Sequence, residues 1–168
     1  LPLDDLTALP LPDGSASGLK VRVFEVGRDV PRFVPERADE AIGSVVGLEV
    51  HDERTGGKLI YAPGVATIDE TLLQAVAGAN CILIDGPFWS DDEPIQMGIT
   101  SRTAREMGHI PVGGQDGTLA WLATVSADYR TYVHINNTNP MLNETGPEHR
   151  EVVAHGVRVG FDGDEYQF

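Results

Sequence analysis

Residues Tyr132 to Met141 read Tyr-Val-His-Ile-Asn-Asn-Thr-Asn-Pro-Met. Tyr129, Tyr132, Val133 and Ile135 favour a β-strand, and Asn136, Asn137, Thr138, Asn139 and Pro140 stop it in a turn. His134 therefore sits near a strand end, beside a dense set of amide and hydroxyl groups. In α/β proteins strand ends deliver reactive groups to a crevice. The competing reading of the same residues is a buried strand histidine followed by an Asx-rich turn.

The neighbouring segments set this strand in a layered frame. Upstream, Cys81 to Ile84 is a continuous apolar run that fits a strand buried on both faces, ending at Asp85-Gly86. Downstream, Thr145, Pro147 and Glu148 form a capping box with proline in the first turn, Val152 and Val153 face inward, and Val157 to Phe161 makes a last strand. Asp116 is placed to cap a helix carrying Leu119, Ala120, Leu122 and Ala123. Thr67 and Glu70 box the start of another, with Leu72, Leu73 and Val76, stopped at Gly78. Thr103 to Met107 reads as a helical turn before Gly108-His109. Pro87 to Met97 reads as an acidic surface loop anchored by Trp89.

Toward the N-terminus, Leu19, Val21, Val23 and Val26 approximate a strand. Val46 to Ala62 reads as a hairpin around Thr55-Gly56-Gly57, its first strand beginning at Ser44. Arg28 to Glu40 reads as an irregular loop. Residues 1–18, with three prolines and two glycines, read as loop or the remnant of an upstream half. Residues 19–168 form the domain proper, and strands followed by alternating helix and strand predict an α/β layered architecture.

The chain has 168 residues, 41% of them hydrophobic, which suits one domain with a real core. No apolar run approaches the roughly 20 residues of a spanning helix. No signal peptide opens the chain, so a cytoplasmic protein is expected. Cys81 is the single cysteine, so neither an intrachain disulfide nor a multi-cysteine zinc site can form. Twenty-six acidic residues against twelve basic ones give a net charge of -14, which repels phosphate backbones and disfavours nucleic acid as partner. The chain opens on Leu1 rather than Met, so a processed product or a piece of a longer frame is expected.

Asp85, His109 and His134 lie at element ends, and imidazoles converging with a carboxylate are what a metal or acid/base site needs. Their spacing contains no His-x-His or His-x-x-x-His pair, and Asp85 could equally cap the turn at Gly86. His51, His149 and His155 read as surface residues.

Five stretches carry a family resemblance: Tyr61-Ala-Pro-Gly64; Ile82-Leu-Ile-Asp-Gly86; Phe88-Trp89 followed by Asp91-Asp92-Glu93; Arg105-Glu-Met-Gly-His109; and His134-Ile-Asn-Asn-Thr-Asn-Pro140. Together with Gly160-Phe-Asp-Gly163 they resemble the coenzyme PQQ synthesis protein B family, in order from about Leu19 to Tyr166. The resemblance implies a metallo-β-lactamase fold, a four-layered αββα sandwich, of which this chain is similar to the C-terminal half. The missing N-terminal half, with its Asp and His cluster, becomes an implied partner, and a homodimer is a further candidate.

By the same resemblance His134 is a metal ligand. His109 is a proton donor oriented by Asp85. Asn136, Asn137, Thr138 and Asn139 either contact substrate or simply support His134, and turn chemistry alone accounts for most of these residues. Pro63 stands where dinuclear hydrolases of the superfamily have a bridging aspartate. The implied activity is Fe(II)- and dioxygen-dependent hydroxylation of the tyrosine of a peptide-derived precursor to pyrroloquinoline quinone (PQQ), with Zn(II) as the other metal. A carrier for PQQ or its precursor, and a zinc hydrolase, are the alternatives.

Overall fold

The computed structural model describes residues 3–27 and 45–168. The sequence expectation for Arg28 to Glu40, and Ser44 itself, lie outside the described residues. Among the described residues, seven strands form one sheet in chain order: β1 (Thr7–Pro10), β2 (Ala16–Gly27), β3 (Val45–Asp52), β4 (Lys58–Ala62), β5 (Cys81–Asp85), β6 (Tyr129–Val133) and β7 (Arg158–Val159). β1 to β4 pair antiparallel, and β4 to β7 pair parallel.

Parallel neighbours need crossovers. These carry α1 (Glu70–Val76) between β4 and β5, α2 (Glu93–Gln96) and α3 (Thr118–Leu122) between β5 and β6, and α4 (Pro147–Ala154) between β6 and β7. No helix among the described residues is long and apolar enough to cross a membrane.

The register assigns the two faces of the sheet. Ile60 pairs with Ile82, Ala62 with Ile84, Ile84 with Tyr132 and Tyr132 with Val159. Because side chains alternate along each strand, these residues share one face. They form a single core with Leu72, Ala75 and Val76 of α1, Leu119 and Leu122 of α3 and Val152 of α4. The opposite parity brings Val21 to Val50, Val23 to Leu48, Leu59 to Cys81 and Tyr61 to Leu83. That face is also apolar, yet its buried members Val21 and Cys81 lie outside the core cluster. One sheet with one helix layer makes up two of the four layers that the family resemblance implies.

Several sequence expectations change. Residues 1–18 are not all loop. Leu11 to Ser15 turns tightly, Asp13 accepting from the Ser15 amide at 2.9 Å, and β1 pairs with β2. Pro10 is tolerated because β1 is the edge strand and Pro10 ends it. Helix α1 is capped by Asp69, whose carboxylate accepts from the Leu72 amide, and not by Thr67. Neither Asp116 nor Thr145 supplies a side-chain cap, since Gly117 and Gly146 stand at those N-caps. Val153 is 55% exposed while Val152 is buried, because only one of two adjacent helical residues can face the sheet. The hairpin over Val46 to Ala62, the turn at Gly56 and the buried strand from Cys81 all form where expected.

Candidate metal and acid/base site

The parallel pair β5 and β6 ends at the same level, Asp85 opposite Val133. The two exit loops then stay stitched together: the Gly86 amide donates to the Val133 carbonyl (3.0 Å), and Asn136 N–H to the Pro87 carbonyl (3.1 Å). Between these ties His134 turns into left-handed backbone at φ 54°. This conformation costs about 1–2 kcal/mol for a residue with a Cβ. It takes the imidazole out of the strand's alternation and leaves the side chain 53% exposed. The alternative of a buried strand histidine is thereby excluded.

Asp85 is 1% exposed and is the hub. Its Oδ1 accepts from Nδ1 of His134 at 2.8 Å, and its Oδ2 from Nδ1 of His109 at 2.7 Å and from the Val65 amide at 3.1 Å. A carboxylate only accepts, so both imidazoles carry the Nδ1 proton and present Nε2 outward. The Asp85 hydrogen bond raises the His134 pKa above its usual 6.5; burial opposes the rise, and the nearby Pro63 backbone adds to it. Pro63 has no N–H and no carboxylate, so its side chain offers no ligand atom.

His109 arrives from a different element. The 3-10 turn Arg105–Met107 closes on Gly108 at φ 85°, a conformation glycine adopts without strain, and His109 N–H returns to the Ala104 carbonyl at 3.0 Å. The His109 ring meets Phe88 edge-on at 6.5 Å and lies 5.4 Å from the His134 ring.

The three residues expected from sequence are thus brought together, their ligating atoms within 4.8 Å of one another. The donor chemistry fits a metal held by imidazole Nε2, with Asp85 as the carboxylate that fixes tautomer and orientation. Cys81 takes no part: burial pushes its thiol up to about 11.

The Asn-rich turn is largely occupied with its own construction. Asn136 Nδ2 donates to Thr138 Oγ1 (2.5 Å), and Asn139 bonds the Gly86 carbonyl (3.1 Å) and the Met141 amide (3.0 Å). Asn137 is exposed. Glu93, read from sequence as a surface acid, is instead 6% exposed and lies against this turn. Its only signal in the sequence is that it precedes Pro94 at a helix start, which does not distinguish inside from outside. A cavity of about 520 Å³ opens beside His134, walled by Val133, Ile135, Phe161 and Asp164 among others. The C-terminal turn's share in it was not foreseen.

Of the other histidines, His51 is not a bare surface group: its Nε2 lies 2.6 Å from the buried Glu49. His149 and His155 hold the carbonyls of Met141 and Glu151.

A family model described as "Beta-lactamase superfamily domain" matches residues 3–135. The chain belongs to the beta-lactamase superfamily. It is 46% identical over 145 residues to coenzyme PQQ synthesis protein B of Pseudomonas entomophila (strain L48), covering 86% of this chain and 48% of that protein. The identity and coverage are the same against the Pseudomonas putida KT2440 protein of that name.

Among solved structures, Zn(2+)-bound PqqB from Methylobacterium extorquens superposes with a TM-score of 0.85 at 36% identity, covering 100% of this chain and 55% of that one. Unliganded yeast PDE1 superposes at a TM-score of 0.55 and 11% identity, over 97% of this chain and 48% of that one, which shows a shared fold alone. The family kinship read from the sequence motifs therefore holds. The chain spans about half the length of the curated relatives it matches.

Proposed function

We propose that this chain supplies the acid/base and last-histidine side of a metal site in a protein of PQQ biosynthesis. The observation that carries this reading is the Asp85 carboxylate held between the Nδ1 atoms of His109 and His134. Kinship with coenzyme PQQ synthesis protein B supports the pathway, and the zinc in the Methylobacterium relative supports a metal.

His134 is the ligand, through Nε2, and the remaining ligands come from outside this cluster, from the half of the domain that the chain does not span. His109 holds a proton at Nε2 for delivery to, or removal from, the substrate, while Asp85 stabilises the imidazolium through Nδ1. Asn137, as the exposed member of the Asn136 to Asn139 turn, contacts substrate; the other three support His134.

The finer proposal is hydroxylation of the tyrosine ring of a peptide-derived precursor, with iron(II) supplying dioxygen activation when bound. An imidazole donor set without thiolate suits this chemistry, and Pro63 in place of a bridging carboxylate favours one metal over two. One oxygen atom enters the ring and the other leaves as water, which takes two electrons from an added reductant, so oxygen uptake by the complete iron-loaded protein with a tyrosine-containing dipeptide and ascorbate tests it. Stoichiometric consumption and a hydroxylated product support the reading, and tight dipeptide binding without turnover overturns it. His109→Ala slows turnover by 10²- to 10⁴-fold on the scale of general acid–base catalysis and leaves metal content unchanged.

A further inference from the structure

We propose that Glu93 is a positioning residue for His134, acting through Thr138 and Asn136; this rests on the reading of His134 as metal ligand. Burying a carboxylate is unfavourable unless its oxygens are well satisfied. At 6% exposure, Glu93 uses one oxygen for the Trp89 amide (2.5 Å) and the other for the Thr138 hydroxyl (2.8 Å). The Thr138 oxygen in turn accepts from Asn136 Nδ2 at 2.5 Å. The chain of bonds therefore runs from the loop after β5, through a buried carboxyl group, to a residue two positions from His134.

The geometry explains why an acidic side chain is kept there. The turn after β6 holds His134 at φ 54°, which its own dihedral preferences oppose. Asn136 N–H on Pro87 and Asn139 Nδ2 on Gly86 tie the turn to the segment after β5. Glu93 adds a third tie, at the Thr138 hydroxyl. Without it the turn keeps two ties, and the His134 to Asp85 contact loses part of its support. The Trp89 amide bond makes the same carboxylate the anchor of the loop that carries Phe88, which packs against the His109 ring. Glu93 thus links the turns beside both imidazoles.

The test uses the complete protein, including the half of the domain that this chain does not span, and Zn²⁺ alone, its affinity measured by competition with a chromogenic chelator. The variants are Glu93→Gln, Thr138→Val, the double variant, Thr138→Ser and His134→Ala, each with its thermal midpoint recorded. Glu93→Gln and Thr138→Val are each expected to weaken Zn²⁺ binding about 10-fold, the lower end for residues that support a ligand indirectly. The double variant is expected to be no weaker than either single one, because one link is broken in both. Thr138→Ser keeps the hydroxyl and retains wild-type affinity, a rescue that loss of packing alone would not produce.

Full affinity in both single variants, or losses that multiply in the double, overturns the role. Should Glu93→Gln fail to fold, Thr138→Val and Thr138→Ser decide. Full affinity in His134→Ala overturns the metal reading and this role with it. Loss in His134→Ala with full affinity in the Glu93 and Thr138 variants overturns this role alone.

Discussion

Asp85 has both oxygens committed to imidazole Nδ1–H donors, so the two histidines share one orienting anion. Asp85→Asn replaces one acceptor with an N–H₂ that faces a ring N–H. It is expected to weaken Zn²⁺ binding 10- to 100-fold and to cost about 1–3 kcal/mol in thermal unfolding. It also returns His134 toward its ordinary pKa. The sign follows from the raised folded value. In the metal-free protein this contribution to stability is present below 6.5 and lost as pH rises through the folded pKa. Metal competes for the imidazole in the opposite sense, so Zn²⁺ affinity rises across the same interval. An NMR titration of His134 in wild type and variant checks both; an unchanged midpoint in Asp85→Asn contradicts the assignment. His134, His109 and Asp85 were legible from the sequence because each stands where an apolar or helical pattern stops. The sharing of Asp85 was not, since no local pattern records that β5 and β6 end side by side.

At the scale of elements, the antiparallel strands are tied by a further buried carboxylate. Glu49 of β3 is 5% exposed and faces Arg22 of β2, His51 of its own strand and Lys58 of β4. Burial pushes its carboxyl up, and the hydrogen bonds from Arg22, His51 and Lys58 outweigh that and hold it below its ordinary 4.5. A lowered folded pKa stabilises the fold above 4.5, a contribution lost as pH falls through the folded value. Glu49→Gln is expected to cost about 2 kcal/mol at neutral pH and to flatten the acid limb of the stability profile. A denaturant series from pH 7 to pH 3 checks it, and parallel profiles for wild type and variant would contradict it. Strand pairing was legible here from alternation and the Thr55-Gly56-Gly57 turn. The helix caps were misread at Thr67, Asp116 and Thr145, because a glycine or a nearer aspartate takes the cap position and the box pattern cannot tell adjacent candidates apart.

For the whole molecule, the sheet is apolar on both faces, and the helices among the described residues cover one. Leu48, Val50, Leu59 and Leu83 share the parity of the second face with Tyr61, itself 38% exposed. The buried run Cys81-Ile-Leu-Ile announced a two-sided strand from sequence alone, and the half-length match to the relatives gives that second face a physical meaning. The 168-residue chain by itself is expected to bind the hydrophobic dye ANS while unfolding cooperatively. Leu48→Lys with Leu59→Lys should reduce dye binding without lowering the thermal midpoint by more than a few degrees. Absence of dye binding by the wild-type chain would contradict an open second face.

The central proposal is that Asp85 holds both imidazoles as Nδ1–H tautomers, with Nε2 of His134 turned toward a metal and Nε2 of His109 left for proton transfer. The most direct test is ¹⁵N NMR of histidine-labelled protein through a Zn²⁺ titration. The account predicts that His109 and His134 keep the Nδ1 proton throughout, and that the His134 Nε2 resonance moves to a metal-bound position. A His134 that loses the Nδ1 proton, or whose Nε2 ignores the metal, would contradict it.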